Sequence, residues 1–441
     1  MTEHTLEKLN HIFPDNTKIN KDGILEIGGY DLSKLISDYG SPLYLYDEKT
    51  IRNSARVFMN EFRLNYDKIH VSYSSKAFIN SSLVKILNEE NLGIDVVSGG
   101  ELEVLIRSEF PMGKVNFHGN NKSEYELIKA VKNKIGLITV DSFYELDLLD
   151  EICKKLNTKQ DITLRLSPSV DPHTHRLTST GILDTKFGFS IETGAAKEAL
   201  EVANSKPGLN LKGIHFHLGS PIFELNPYSE AIDYVFDFIK ANYPKNLKFE
   251  IFNVGGGFSV AYTSEDPVVS TKQYAQTICT SIKRNIAKYN MDNPLLVIEP
   301  GRAIVARSGV AIYTIGGIKI IPNLRTYVSV DGGMADNIRP ALYGSKYTVL
   351  SVNKANKIHD NLVTVAGKYC ETGDNLAENV LLPEPNPNDL IAIPVSGAYN
   401  SSMSSNYNVS LRPAIILLKK DGIKIIRRRE TYDDVLLTSE I

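Results

Sequence analysis

The chain has 441 residues, of which 42% are apolar and 23% charged, with a net charge of −3. This is the balance of a soluble globular protein too long for one ordinary core, and it offers no electrostatic reason for nucleic acid or an anionic membrane as a main partner. Cys153, Cys279 and Cys370 are too far apart for a metal-type pair or a disulfide framework, residues 1–8 lack an apolar leader core, and no apolar run reaches membrane-spanning length. A cytoplasmic protein is the expectation.

Residues 1–22 read as an irregular or helical lead-in. Strand-like residues 24–27, a short helix near 32–39 and a strand at 43–46 follow. Eight strand-like runs then come at 69–76, 93–97, 115–118, 136–140, 162–166, 213–218, 249–254 and 295–298. Helix-period segments separate them at 81–91, 100–108, 123–133, 143–156, 194–204, 228–242 and 274–289. Such alternation predicts a parallel sheet with crossover helices, and eight units in about 250 residues predict a (β/α)8 barrel. An open doubly wound sheet is the runner-up, but no GxGxxG follows the first strand. After Arg302 short strands alternate with Gly/Asn/Asp turns, which predicts an all-β domain. The strands before residue 46 are expected to join it, giving a barrel at 47–306 and an all-β domain from 1–46 with 307–441.

Barrel active sites collect at the C-terminal ends of the strands. The first run, Ile69-His70-Val71-Ser72-Tyr73-Ser74-Ser75-Lys76, places His70, Ser72, Ser74 and Lys76 on one face and ends on the lysine. A lysine with small neighbours can be desolvated, lose its proton and attack a carbonyl; the stretch alone fits a surface lysine capping a strand better, and the other exits turn the balance. Asp95 stands at the second exit, His118 at the third and Arg165 on the fifth strand. The sixth exit carries His215, His217 and Ser220, the seventh Gly255, Gly256 and Gly257, and the eighth Glu299, Gly301 and Arg302. His217 is the better candidate to stack on a ligand ring. The glycines let backbone N–H groups approach an anion, with Ser220 and Arg302 to complete a phosphate site. Glu299 either balances Arg302 or faces a protonated ring nitrogen. Lysine for an aldehyde, histidine for a ring, carboxylate for a ring nitrogen and glycines for a phosphate together describe pyridoxal 5′-phosphate.

The β domain adds Arg339 and Tyr343, the exposed-looking Cys370 with Glu371, and Tyr399. Arg339 and Glu371 suit a substrate that has both a carboxylate and an ammonium.

In order and spacing, the chain resembles the fold type III (alanine-racemase-like) pyridoxal-phosphate decarboxylases, and among them the diaminopimelate decarboxylase family. The pieces that carry the resemblance are Thr180-Gly181 with Lys186-Phe187-Gly188, His217-Leu218-Gly219-Ser220, Glu299-Pro300-Gly301-Arg302, Asp331-Gly332-Gly333-Met334 with Arg339-Pro340-Ala341-Leu342-Tyr343, and Cys370-Glu371-Thr372-Gly373-Asp374. It implies that Lys76 holds the cofactor, His217 stacks on its ring and Glu299 faces the pyridine nitrogen. Ser220, Gly255, Gly256, Gly257 and Arg302 would bind phosphate, and Asp95, Arg165 and Gly301 would join the cofactor set. Arg302, Arg339, Tyr343, Glu371 and Tyr399 would contact substrate, Tyr399 also touching cofactor, and Cys370 would supply a proton after carbon dioxide leaves. The implied reaction takes meso-2,6-diaminopimelate to L-lysine, in a homodimer whose sites are shared, with Cys370-Glu371 coming from the partner. Pro221 departs from the family, which usually has Gln there. Alternatives are a relative acting on D-ornithine, D-lysine or a siderophore precursor, a non-catalytic cofactor-binding relative, and a cofactor-free Schiff-base aldolase.

Overall fold

The structure, a computed structural model, describes residue 6 and residues 9–171 and 184–440, so Thr180 and Gly181 of the family pattern lie outside the described residues. The chain divides into two compact units, Ala55–Ser259 with Val268–Gly301, and Met1–Ser54 with Val260–Pro267 and Arg302–Ile441.

The first unit is the predicted barrel. Its strands are Ile69–Ser74, Gly93–Val96, Val115–Phe117, Leu137–Val140, Gln160–Ser167, Leu209–Phe216, Ile251–Asn253 and Leu295–Ile298. Each pairs in parallel with the next, and the eighth pairs with the first, Val297 opposite His70, which closes the ring. Val71, Tyr73, Ile94, Phe117, Ile138, Leu164, Ile214, Phe252 and Ile298 are all buried, as strands covered on both faces require. Several crossover helices start at a serine just past a strand exit. Ser98, Ser123 and Ser142 each accept a backbone N–H of the first turn, a cap that contributes about 1 kcal/mol.

The first strand stops two residues short of the prediction. It ends at Ser74, and Ser75–Ala77 form one 3-10 turn. The Ser74 N–H donates to the Pro300 carbonyl at 3.3 Å, and a Cβ on Gly301 would sit 2.9 Å from that of Ser74. The first and eighth exits are thus pressed together, and the chain turns before Lys76. The lysine is exposed instead of desolvated at a strand end.

The second unit is β-rich. Its sheet runs in the order Asn375–Leu382, Asn361–Ala366, Arg325–Val330, Gly309–Ile321, Leu43–Asp47, Ala414–Lys419, Gly422–Arg427. Leu43–Asp47 lies inside this sheet, antiparallel to Gly309–Ile321 and parallel to Ala414–Lys419, so the N-terminal strand joins the β domain as expected. Short helices such as Leu32–Tyr39 and Arg339–Tyr343 keep the unit from being wholly β.

Candidate active site

In the barrel unit the strand exits converge on Glu299. Its carboxylate accepts from the Asn253 amide at 2.6 Å and lies 2.9 Å from His118 Nε2 and 3.3 Å from His215 Nε2. Burial alone would push this carboxyl up, but electrostatic attraction to His118 and then His215, with the hydrogen bonds from both, overcomes it and holds Glu299 well below the usual range. Burial pushes His215 down to about 4, so at neutral pH it is a neutral N–H donor. Asp95 accepts from the Ser72 hydroxyl, and its other oxygen has no partner among the described residues. Burial first, then the Glu299 charge, pushes Asp95 well above an ordinary carboxyl. Of the two acids, Glu299 is the ionised one.

His217 lies one residue past the end of its strand, and its Nδ1 accepts the Gly256 N–H at 3.2 Å. That bond leaves the ring proton on Nε2, and burial, with Lys76 next, lowers its pKa well below an ordinary histidine. The three glycines are required by close approach. A Cβ on Gly255, at φ +70°, would lie 2.6 Å from the Phe216 carbonyl, and one on Gly257, at φ +107°, would lie 2.6 Å from the Gly219 carbonyl. Two of the three expected anion donors are already used, because Gly255 N–H donates to Asn253 Oδ1 at 2.9 Å and Gly256 N–H to His217. Gly257 N–H has no protein partner among the described residues. Ser220, half-buried, precedes Pro221. Arg165 is buried, stacks 4.2 Å over the Phe187 ring and lies 3.7 Å from Asp141, whose other oxygen accepts Gly188 N–H at 3.1 Å. The Lys186-Phe187-Gly188 piece thus braces the fifth exit.

In the β unit a second cluster forms around two buried guanidiniums. Arg302 donates to the Tyr262 hydroxyl and lies 4.7 Å from the Tyr399 ring. Arg339 donates to Tyr347 at 3.0 Å and Ser345 at 3.2 Å, and its guanidinium lies 5.3 to 5.9 Å from the rings of Tyr262, Tyr343 and Tyr399. No carboxylate pairs with Arg339 among the described residues. Burial would raise the Tyr262 phenol; Arg302 and Arg339 overturn that and lower it. Tyr399 is held at φ +61°, a strained backbone for a bulky residue and a mark of functional sites. Cys370 and Glu371 are exposed on a loop fixed from below by buried Asp374, which accepts Tyr369 N–H at 2.9 Å and Met334 N–H at 2.6 Å.

Four residues of these clusters escaped the sequence. Asn116, whose amide lies 2.6 Å from His118 Nε2, and Asn253 face into the barrel two residues before His118 and Gly255, so strand alternation could have found them. Tyr262 and Tyr347 lie in loops, where no periodicity marks a direction.

The barrel set fits pyridoxal phosphate on its own features: an exposed amine at Lys76, an ionised buried carboxylate with no Lys or Arg partner among the described residues, an oriented neutral imidazole, and a glycine turn with one open N–H. Residues 49–306 match the family model described as pyridoxal-dependent decarboxylase, pyridoxal binding domain. The chain is 42% identical over 420 residues to a diaminopimelate decarboxylase of Bacillus methanolicus, covering 95% of this chain and 97% of that protein. The solved diaminopimelate decarboxylase of M. jannaschii in complex with L-lysine superposes with a TM-score of 0.89 at 33% identity, over 97% of this chain and 98% of that one. The Helicobacter pylori enzyme, also with L-lysine, gives a TM-score of 0.84 at 32% identity, over 92% of this chain and 98% of that one.

Proposed function

The chain belongs to the diaminopimelate decarboxylases of the pyridoxal-dependent decarboxylase family, and from that premise we propose that it converts meso-2,6-diaminopimelate to L-lysine and carbon dioxide with pyridoxal 5′-phosphate. The observation that carries the reading is a buried charge left open in each unit, carboxylate at Glu299 and guanidinium at Arg339.

When bound, pyridoxal phosphate supplies an electron sink for the pair left as the carbon–carboxylate bond breaks. Lys76 is the amine that would hold the aldehyde carbon. Glu299 would face the ring nitrogen and favour its protonated form. His217, its orientation fixed by Gly256 N–H, would lie against the ring. Gly257 N–H, Ser220 and Arg302 take the phosphate, with Gly255 and Gly256 holding the turn and Gly301 keeping the first exit in place. Asp95 and Arg165 complete the cofactor set. Arg339, Arg302, Tyr343 and Tyr399 take substrate carboxylate and stem, and Glu371 takes the distal ammonium. Cys370 Sγ gives a proton to the carbon that has lost carbon dioxide and regains one from solvent. The barrel at 47–306 is the cofactor domain, and 1–46 with 307–441 the substrate-side domain. The protein works in the cytoplasm as a homodimer, with Cys370 and Glu371 serving the partner's site. Both lie on an exposed loop, which supports their being offered to another chain.

The test is purified protein with pyridoxal phosphate, assayed for lysine and carbon dioxide from meso-diaminopimelate beside D-ornithine and D-lysine. Only the first should turn over efficiently. Lys76→Ala should remove the visible absorbance of the covalently held cofactor and abolish turnover; an unchanged spectrum would refute the role of Lys76.

A further inference from the structure

We propose that His118 and His215, with Asn253, are positioning residues that hold the Glu299 carboxylate in its ionised form and in one orientation. The proposal deepens the reading above, in which Glu299 faces the ring nitrogen, and gives a task to two buried histidines that the reaction leaves unused.

Three exits supply the three donors. His118 comes from the third at 2.9 Å, His215 from the sixth at 3.3 Å and Asn253 from the seventh at 2.6 Å. None is a lysine or arginine. A permanent cation there would neutralise the carboxylate and compete with a protonated ring nitrogen for it. N–H donors that carry no permanent charge stabilise the carboxylate and leave it available. The other charged or titratable groups that act on Glu299 are Asp95, Arg165 and His217. Asp95 takes up a proton before Glu299 does, and Arg165 has Asp141 beside it.

The tautomers are consistent with this role. The two imidazoles meet edge to face, 4.7 Å apart at 61°. A neutral His215 donating through Nε2 leaves Nδ1 bare, and that atom has no partner among the described residues. His118 must likewise carry its proton on Nε2, yet the Asn116 amide nitrogen sits 2.6 Å from the same atom. Two donors cannot face each other. Turning the Asn116 amide over presents its oxygen to His118 and its nitrogen to Thr139, whose hydroxyl then donates to Thr163 at 3.0 Å. The Asn116 oxygen and the Glu299 carboxylate then share the single His118 Nε2–H in a three-centre bond.

The experiment reads Glu299 itself. Infrared difference spectra of the full chain with labelled glutamate, cofactor-loaded and cofactor-depleted, separate ionised from protonated carboxyl, and Glu299→Gln identifies the band. Wild type should show Glu299 ionised from pH 6 to 8. His118→Leu should show it protonated in that range, and pyridoxal phosphate affinity should become pH-dependent, falling by up to about tenfold per pH unit as pH drops below the raised pKa. His118→Gln, which keeps an N–H donor, should restore the wild-type band, an outcome that a merely structural role does not predict. If His118→Leu fails to fold, His215→Ser is read in the same way. Glu299 still ionised at pH 6 in either variant overturns the proposal. Failure of wild type to bind pyridoxal phosphate would instead overturn the functional reading, because the band in the depleted protein is read without cofactor.

Discussion

The two units bury charge with opposite signs and the same logic. In the barrel, the Glu299 carboxylate is ringed by two imidazoles and an amide. In the β unit, the Arg339 guanidinium is ringed by phenols. Among the described residues Glu299 meets no lysine or arginine, and Arg339 no carboxylate. Yet the chain closes a buried pair elsewhere: Lys122 Nζ lies 2.7 Å from Glu145 and donates to the Gly119 and Thr139 carbonyls, with both side chains buried. Removing a charge from water costs several kcal/mol. A protein that completes one buried pair and leaves two charges open reserves the open ones for ligands.

That contrast breaks most visibly at the closed pair. Lys122→Met strands Glu145 and should destabilise the protein by about 3–5 kcal/mol in urea unfolding. The molecules that stay folded should keep cofactor affinity and turnover. If affinity fell with stability unchanged, the closed pair would belong to the site. Glu299→Gln is the opposite case. It keeps the shape and removes the charge, so the melting temperature should hardly move while turnover falls by about 100-fold or more, the usual effect of losing one preorganised electrostatic group. Arg339→Gln should raise KM for the substrate by about 10–100-fold, the equivalent of one charge-assisted contact, with a smaller change in kcat. Arg339→Lys should not rescue it, because an ammonium cannot lie flat among Tyr262, Tyr343 and Tyr399. A large kcat loss at constant KM would move Arg339 from binding to chemistry.

The barrel was legible because its signal is periodic. Strand-like runs alternating with helix-period segments determine a closed parallel ring, and the exits then name Lys76, Asp95, His217 and Glu299 as neighbours in space. The end of the first strand was not legible. It depends on Ser74 meeting Pro300 and on Gly301 lying under it, contacts more than 200 residues apart in sequence. The hydrogen bonding of Gly255 and Gly256 was not legible for a related reason. Three glycines signal open N–H groups only if no side chain takes them first, and Asn253 and His217 do. The phenol cage was the least legible part. Tyr262 comes from the segment Val260–Pro267, whose place in the β unit has no pattern in the sequence.

A second buried carboxyl tests whether the nature of the donors matters. Asp336, in the β unit, accepts from the Tyr313 hydroxyl at 2.5 Å, the Tyr44 hydroxyl at 3.3 Å and Gly333 N–H at 3.0 Å. It has three donors, as Glu299 does, but burial still pushes it up to about 6. Its folded pKa exceeds its unfolded value, so its contribution to stability is fully present below the unfolded pKa and is lost as pH rises through about 6. Asp336→Asn mimics the protonated form. The unfolding free energy of the variant relative to wild type should therefore rise between pH 4 and pH 7.5, by up to about 3 kcal/mol. Two curves that stay parallel over that range would show that Asp336 does not titrate there. Phenols and a backbone N–H would then be enough to hold a buried carboxylate charged, and the imidazoles around Glu299 would lose the distinction that separates the two sites.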